Sequence, residues 1–267
     1  MSDRRTPVKA ALLFAPLLVV ILTLHAWGDA MAGGLGRAVG NWQYPERVHS
    51  QFLIRVSRGS SADVFAARAL EEFVPQAVKG YGIRLAIQVP AQPVTVVLLD
   101  PDTELRRFGT TVVEDLNPNQ GVFDPSRRMI LVRMERKIQQ DLVAAALRQA
   151  AARVLLHDAG SPRWSPWLTE GLVGRLEGAR PADQRIGELP GLTDILKLTE
   201  ADFTALNRAS STRGARLLVA FLMDRMPDRF DHYYKEEQAG LRPVFFERIG
   251  DPEQVERDWK DWLQKLK

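Results

Sequence analysis

The sequence of 267 residues contains no cysteine and only four histidines. The absence of cysteine excludes disulfide bonds, thiolate zinc sites and cysteine nucleophiles. Four histidines leave few candidates for a metal site built from imidazoles. The 36 basic side chains barely outnumber the 33 acidic ones, and no block of lysine and arginine resembles a nucleic-acid tract. No nucleic-acid partner is therefore predicted. The sequence also contains no internal repeat and no low-complexity tract.

The first residues form a basic leader followed by a long apolar run. Three basic side chains among residues 4–9 precede residues 10–27, which are apolar except for one proline, one threonine and one histidine. Such a run is marginal for crossing a bilayer core of about 30 Å, and the small-x-small sequence at residues 30–32 is typical of signal-peptide cleavage. The segment is either an uncleaved anchor, which would make the membrane a partner, or a cleaved signal. Both interpretations place the rest of the chain outside the cytoplasm. A buried core helix is the alternative, but it leaves the basic flank unexplained.

The rest of the chain divides into a mixed half and a helical half. Residues 1–32 are assigned to the signal or anchor, as an N-terminal hydrophobic helix, and the glycine-rich residues 33–46 to a linker. Residues 47–136 alternate between strand and helix patterns, and residues 137–267 are mostly helical in pattern. The sequence therefore predicts an α+β fold with a mixed N-terminal subdomain and a helical C-terminal one.

Individual elements follow from apolar periodicity and from the residues that begin or end helices. Strands are predicted at residues 52–56, 94–99, 121–123 and 129–132, the last two joined by a turn at residues 124–127. Helices are predicted at residues 60–80, 102–108, 138–157, 166–178, 192–198, 213–226, 229–238 and 252–266.

The helix around residues 142–156 carries two polar side chains on an otherwise apolar stripe. Positions 142, 146, 149, 153 and 156 follow one another at steps of four and three, so they share a face. Gln149 and Arg153 belong to this stripe, while its other members are leucine or alanine. Burying a guanidinium without a partner is costly, so a carboxylate is expected opposite Arg153.

Glu170, on the next predicted helix, is the best candidate for that carboxylate. A short loop makes the two helices antiparallel neighbours, and a charge-assisted ion pair between Arg153 and Glu170 would tie them together. The alternative is that Gln149 and Arg153 lie at the edge of the helix face, with the Arg153 guanidinium extending into water. The two interpretations differ in the distance between Arg153 and Glu170.

Three segments together resemble the gluzincin-like, or peptidase MA-like, zinc metallopeptidases. They are residues 121–125 (GVFDP) leading into 129–132 (MILV), residues 147–156 (LRQAAARVLL) and residues 167–172 (WLTEGL). Members of that family carry His-Glu-x-x-His on one helix and a glutamate ligand on the next. The resemblance implies a metallopeptidase-like fold for the helical C-terminal half.

The same resemblance implies that the metal site is degenerate. The first histidine ligand falls on Gln149, the general-base glutamate on Ala150 and the second histidine on Arg153, whereas the third ligand is retained as Glu170. Zinc binding needs neutral imidazoles one helical turn apart, and hydrolysis needs a carboxylate that accepts a proton from the bound water. No catalytic residue, metal ligand set or cofactor is therefore predicted.

The resulting functional prediction is an extracytoplasmic, membrane-anchored or secreted pseudopeptidase that acts in binding or as an envelope component. Its partner would be a peptide or an envelope protein. Trp164 and Trp167 are predicted to pack in the core, and the alternative is that they line a peptide-binding cleft. Two alternatives stay open. One is an active peptidase or other hydrolase with an unrecognised site, and the other is a purely structural envelope protein.

Overall fold

The structure is a computed structural model, and it describes residues 46–49, 51–56, 62–99, 121–134, 140–178, 181, 189–203 and 208–266. The predicted signal or anchor, the linker up to residue 45 and the predicted helix at residues 102–108 lie outside these residues. Pro45–Lys267 forms one compact unit. Among the helices within the described ranges, none combines the length and the apolar character needed to cross a membrane.

A five-stranded mixed sheet is formed by the N-terminal half. Its strands are β1 (Glu46–His49), β2 (Phe52–Val56), β3 (Val94–Leu99), β4 (Gly121–Asp124) and β5 (Met129–Arg133). Their order across the sheet is β1-β2-β3-β5-β4; β2, β3 and β5 run parallel, and the two outer strands are antiparallel to their neighbours. The central strand β3 is rich in valine and leucine and is buried on both faces, as expected for a strand inside a parallel sheet.

The described residues also form eight α-helices. They are α1 (Ala62–Leu85), α2 (Gln140–Asp158), α3 (Pro166–Leu176), α4 (Leu192–Leu196), α5 (Arg208–Arg225), α6 (Pro227–Gln238), α7 (Phe245–Ile249) and α8 (Pro252–Gln264), with 3₁₀ turns at Ser161–Arg163 and Glu200–Phe203. Three of these helices begin with a proline, whose missing N–H is not needed at that position. The number of helices, eight, is counted within the described residues.

The core connects the two halves of the chain. Helices α1 and α2 pack against each other and against the sheet, and α2 lies along the edge strand β4. Helix α3 packs on α2 and, more extensively, on α5. The boundary predicted at residues 136 and 137 therefore does not separate two compact units, because α2 belongs to the same core as the sheet.

The α+β class is confirmed by the structure. The four predicted strands are present, and the predicted helices outside residues 102–108 are found with ends that shift by a few residues. Strand β1, helix α7 and the two 3₁₀ turns were not predicted. The apolar Val64 on α1 is 59% exposed.

Candidate functional site

An ion pair joins the two helices that the sequence singles out. The Arg153 Nη2 on α2 donates to the Glu170 Oε2 on α3 at 2.5 Å. Only 3% of the Glu170 side chain is exposed, whereas Arg153 retains 28%. Because a buried carboxylate needs a partner of opposite charge, this contact explains how Glu170 is accommodated. The predicted ion pair is present, so Arg153 does not simply extend into water.

A second arginine extends the pair to a third helix. The Arg216 Nη2 on α5 lies 3.5 Å from the Glu170 Oε1, and the Arg216 Nη1 lies 3.0 Å from the Glu177 Oε2. We call Arg153, Glu170, Glu177 and Arg216 the ion-paired cluster. Its two positive and two negative charges cancel, and it links α2, α3 and α5 at one point.

Two glycines on α3 allow α5 to come close enough for this contact. A Cβ atom built on Gly174 would lie 2.6 Å from the Arg216 Cγ, and one built on Gly171 would lie 2.6 Å from the Ala215 carbonyl oxygen. Both distances are shorter than real Cβ contacts. The absence of a side chain at these positions therefore lets Arg216 lie across α3 and reach both glutamates.

Gln149 and Ala150 occupy different surroundings, although they are adjacent in sequence. Gln149 is half-buried, and Ala150 is completely buried where α2 contacts β4. A Cβ built on Gly121 of β4 would lie 2.9 Å from the Ala150 Cβ. A glutamate at position 150 would have no room unless β4 moved away. At the position where the resemblance implies a general base, the structure thus has a methyl group packed against a strand.

The ion-paired cluster can act as a non-covalent cross-link between helices. A guanidinium has five N–H donors and no lone pair available to a metal ion, and each oxygen of Glu170 faces an arginine. In the part of the chain that the structure describes, no group of three or more His, Asp or Glu side chains is arranged to hold a metal. The arrangement can fix three helices relative to one another through charge-assisted hydrogen bonds.

The Glu177 carboxyl in the ion-paired cluster has an altered affinity for protons. Burial raises the pKa of its carboxyl above the ordinary value, nearby Arg216 opposes this change, and the negative charge of Glu170 reinforces it. The ion pair with Arg216 therefore does not offset the loss of hydration, a common outcome for buried pairs. In the folded protein the protonated form of Glu177 is favoured more than it is in the unfolded chain.

We expect Glu177→Gln to change the pH dependence of stability. Because the folded-state pKa is raised, the contribution of Glu177 to stability is complete below the ordinary glutamate pKa and is lost as the pH rises through the folded-state value. At neutral pH the neutral glutamine should leave the free energy of unfolding unchanged or raise it by about 1 kcal/mol. Urea unfolding of both proteins at pH values from about 4 to 7 measures the difference.

The exposed Glu247 provides the matched control for that experiment. Glu247→Gln should give a stability profile parallel to that of the unaltered protein across the same pH range. A parallel profile for Glu177→Gln as well would contradict the assignment of the raised pKa to Glu177.

Trp164 and Trp167 pack in the core, as the first of the two sequence-based interpretations has it, and they do not line an open cleft. They are 5% and 1% exposed, respectively. Trp164 packs edge-on against Tyr234, and Trp167 packs against Tyr233 and Phe245. These large rings fill the space between α3, α6 and α7, so they act as core residues.

A buried carboxylate near these aromatic rings escaped the sequence analysis. Glu237 of α6 is 2% exposed and accepts hydrogen bonds from the Ser165 Oγ at 2.5 Å, from the Ser165 N–H at 3.2 Å and from the Tyr233 hydroxyl at 2.9 Å. Its negative charge lies at the N-terminus of α3, where the helix dipole favours it. Glu237 thereby fixes the start of the helix that carries Glu170.

The roles of Arg216 and Glu177 were also missed. Arg216 lies 46 residues from Glu170 along the chain, and no local pattern joins residues that far apart. One signal was available, because two glycines spaced three apart within the helical pattern of α3 suggest that another element approaches closely. That signal indicates a contact and does not identify its partner.

No protein-family model and no curated protein sequence matches this chain. The resemblance to the gluzincin-like metallopeptidases therefore stays a prediction that rests on the residues quoted above.

Proposed function

We propose that the protein is a catalytically inactive, metallopeptidase-like protein that acts outside the cytoplasm by binding instead of hydrolysis. The observation that carries this proposal is the 2.5 Å contact between Arg153 and Glu170. A cation stands where the resemblance implies a zinc ligand, and it engages the one ligand that the chain retains. The basic leader and apolar run at the N-terminus support a location outside the cytoplasm.

The outer edge of β4 supports a binding role. No described strand pairs with that edge, and Val122 on this strand is 39% exposed. An edge strand presents unpaired N–H and C=O groups at which an extended peptide can add as a further strand. The occupant that fits this surface is an extended segment of a peptide or an envelope protein.

The burial of Trp164 and Trp167 favours a second candidate, a purely structural envelope protein. With both rings in the core, neither is available to line a peptide-binding groove. The two candidates differ in whether the outer edge of β4 is occupied in the native envelope. Site-specific cross-linking from Val122, with the exposed Val64 as a control, distinguishes them.

Zinc content tests the proposal that the metal site is degenerate. We expect the purified full chain, dialysed after exposure to zinc, to retain far less than one zinc ion per molecule. The double variant Gln149→His, Arg153→His should bind zinc, because two imidazoles one turn apart would join Glu170 as ligands. It should remain inactive against peptides because Ala150 supplies no general base. Elemental analysis and a fluorogenic peptide assay give the two measurements.

Adding Glu170→Gln to that double variant is the matched control and should remove the gained zinc. Stoichiometric zinc in the unaltered protein, lost on Glu170→Gln, would instead favour an active hydrolase. If the double variant failed to gain zinc while remaining folded by circular dichroism, the assignment of Gln149 and Arg153 to ligand positions would be wrong.

A further inference from the structure

A pocket of about 380 Å³ opens on a part of the molecule that the ion-paired cluster does not reach. It is enclosed by the segment between α1 and β3, by the turn between β4 and β5, and by the end of α2. Its lining residues are Ala86, Gln88, Val89, Ala91, Gln92, Arg128 and Asp158. The volume lies at the lower end of the range of pockets that hold small molecules.

A bidentate ion pair forms one wall of the pocket. The Arg128 Nη1 donates to the Asp158 Oδ1 at 2.7 Å, and the Arg128 Nη2 donates to the Asp158 Oδ2 at 2.9 Å. About a quarter of each side chain is exposed, at 21% and 27%. A carboxylate has roughly four acceptor positions and a guanidinium has five N–H groups. The Arg128 Nη2 also lies 3.5 Å from the Gln92 carbonyl oxygen, and the Arg128 Nε is buried. The hydrogen-bonding capacity that the pair retains therefore lies at the Arg128 Nη1 and at the Asp158 oxygens.

Two residues that line this pocket have a backbone conformation that is usually found at glycine. Arg128 and Ala86 have φ angles of 47° and 51°, and Arg242 is the other non-glycine residue of the described chain with a positive φ. Non-glycine residues in this region carry a cost of about 1 kcal/mol or more, and they occur preferentially at functional sites. At position 128 the turn would accept glycine, and the arginine found there supplies the guanidinium that pairs with Asp158 in the wall of the pocket.

The remaining polar groups of the lining are neutral. Gln88 and Gln92 are exposed at the mouth of the pocket, and each side-chain amide both donates and accepts hydrogen bonds. A simple anion or cation would gain little from walls whose charges cancel, and it would have to compete with the Arg128–Asp158 pair. Hydroxyl groups on neighbouring carbons also donate and accept, so they match these side chains without separating the pair.

We propose that this pocket binds a neutral polyhydroxylated ligand, namely a sugar unit. The pair of Arg128 and Asp158 supplies fixed donors and acceptors, and the exposed side chains of Gln88 and Gln92 supply adaptable ones. Val89 and the two alanines give a small apolar surface for the C–H groups of a sugar ring. This site is independent of the β4 edge and of the degenerate metal positions.

Ligand-observed NMR with monosaccharides tests the proposal. The purified full chain, kept in a detergent without a sugar headgroup, is titrated with glucose, galactose, mannose and N-acetylglucosamine. We expect saturation transfer from the protein to at least one of them, with a dissociation constant in the millimolar range. Gln88→Ala and Gln92→Ala should each weaken binding about fivefold, as expected for one net hydrogen bond, without changing the melting temperature.

Gln76→Ala is the matched control, because Gln76 is exposed on α1 and does not line the pocket. It should leave the sugar affinity unchanged. The proposal is overturned if none of the four sugars gives saturation transfer at tens of millimolar, or if Gln88→Ala and Gln92→Ala bind as well as Gln76→Ala. It is also overturned if acetate or alanine displaces the sugar at comparable concentrations, because a charged ligand would then be the better match.

Discussion

Replacing Glu170 by glutamine should lower the free energy of unfolding by about 3–5 kcal/mol, the usual effect of removing one partner from a buried ion pair. The buried side chain would retain its shape, but the guanidiniums of Arg153 and Arg216 would both lose a counter-ion. Arg216 would keep Glu177 as a partner, whereas Arg153 would have none in the ion-paired cluster. Denaturant unfolding followed by circular dichroism measures the loss as a lower midpoint with an unchanged slope.

A double-mutant cycle separates the pair from other effects of the substitution. Arg153→Gln alone should also destabilise the protein, because it leaves the buried Glu170 carboxylate with only the Arg216 Nη2 at 3.5 Å. Combining both substitutions should cost clearly less than the sum of the two single losses, since neither charge is then left unpaired. Additive losses, to within about 0.5 kcal/mol, would show that Arg153 and Glu170 are not energetically coupled.

The second large effect is expected at the contact between α3 and α5. Gly171→Ala should destabilise the protein by about 3 kcal/mol, at the upper end of what overpacking a core costs. The added methyl group would meet the Val219 side chain and would lie 2.6 Å from the Ala215 carbonyl oxygen, which is backbone and cannot turn aside. Separating the helices would also draw Arg216 away from Glu170. Thermal and denaturant unfolding both report the change.

Gly80→Ala is the matched control for Gly171→Ala. Gly80 also lies within a helix, but a Cβ there would have no atom within 4 Å. Its replacement should raise the stability by about 0.5–1 kcal/mol, because alanine loses less conformational entropy than glycine in a helix. If both substitutions changed the stability in the same direction, the close approach of α3 and α5 would not be what requires glycine at position 171.

Much of the fold could be predicted because local patterns determine it. The strand at residues 94–99 was predicted with its exact ends, since a β-branched run between turn residues has few alternatives. Strand β1 was missed because Glu46–His49 has only one apolar residue and owes its structure to pairing with β2. Helix α7 (Phe245–Ile249) was also missed.

The candidate site was predictable only in part. The Arg153–Glu170 pair was predicted because burying a guanidinium without a counter-ion is costly on any packed face of a helix. Sequence could not distinguish a core tryptophan from one that lines a cleft, so a cleft stayed open as the alternative for Trp164 and Trp167, which are buried. Arg216 could not be paired with Glu170 and Glu177, because that contact depends on how α3 and α5 cross in three dimensions.

The ion-paired cluster also implies an order of assembly. Arg153 and Glu170 are 17 residues apart, whereas Arg216 and Glu170 are 46 apart. Closing the longer loop costs about 0.9 kcal/mol more in chain entropy, and during synthesis α5 emerges after α2 and α3. The α2–α3 hairpin can therefore form its ion pair while Glu170 is still hydrated. The arrival of α5 then removes that water and adds the second guanidinium, so the chain never has to bury the Glu170 carboxylate before a cation is in place beside it.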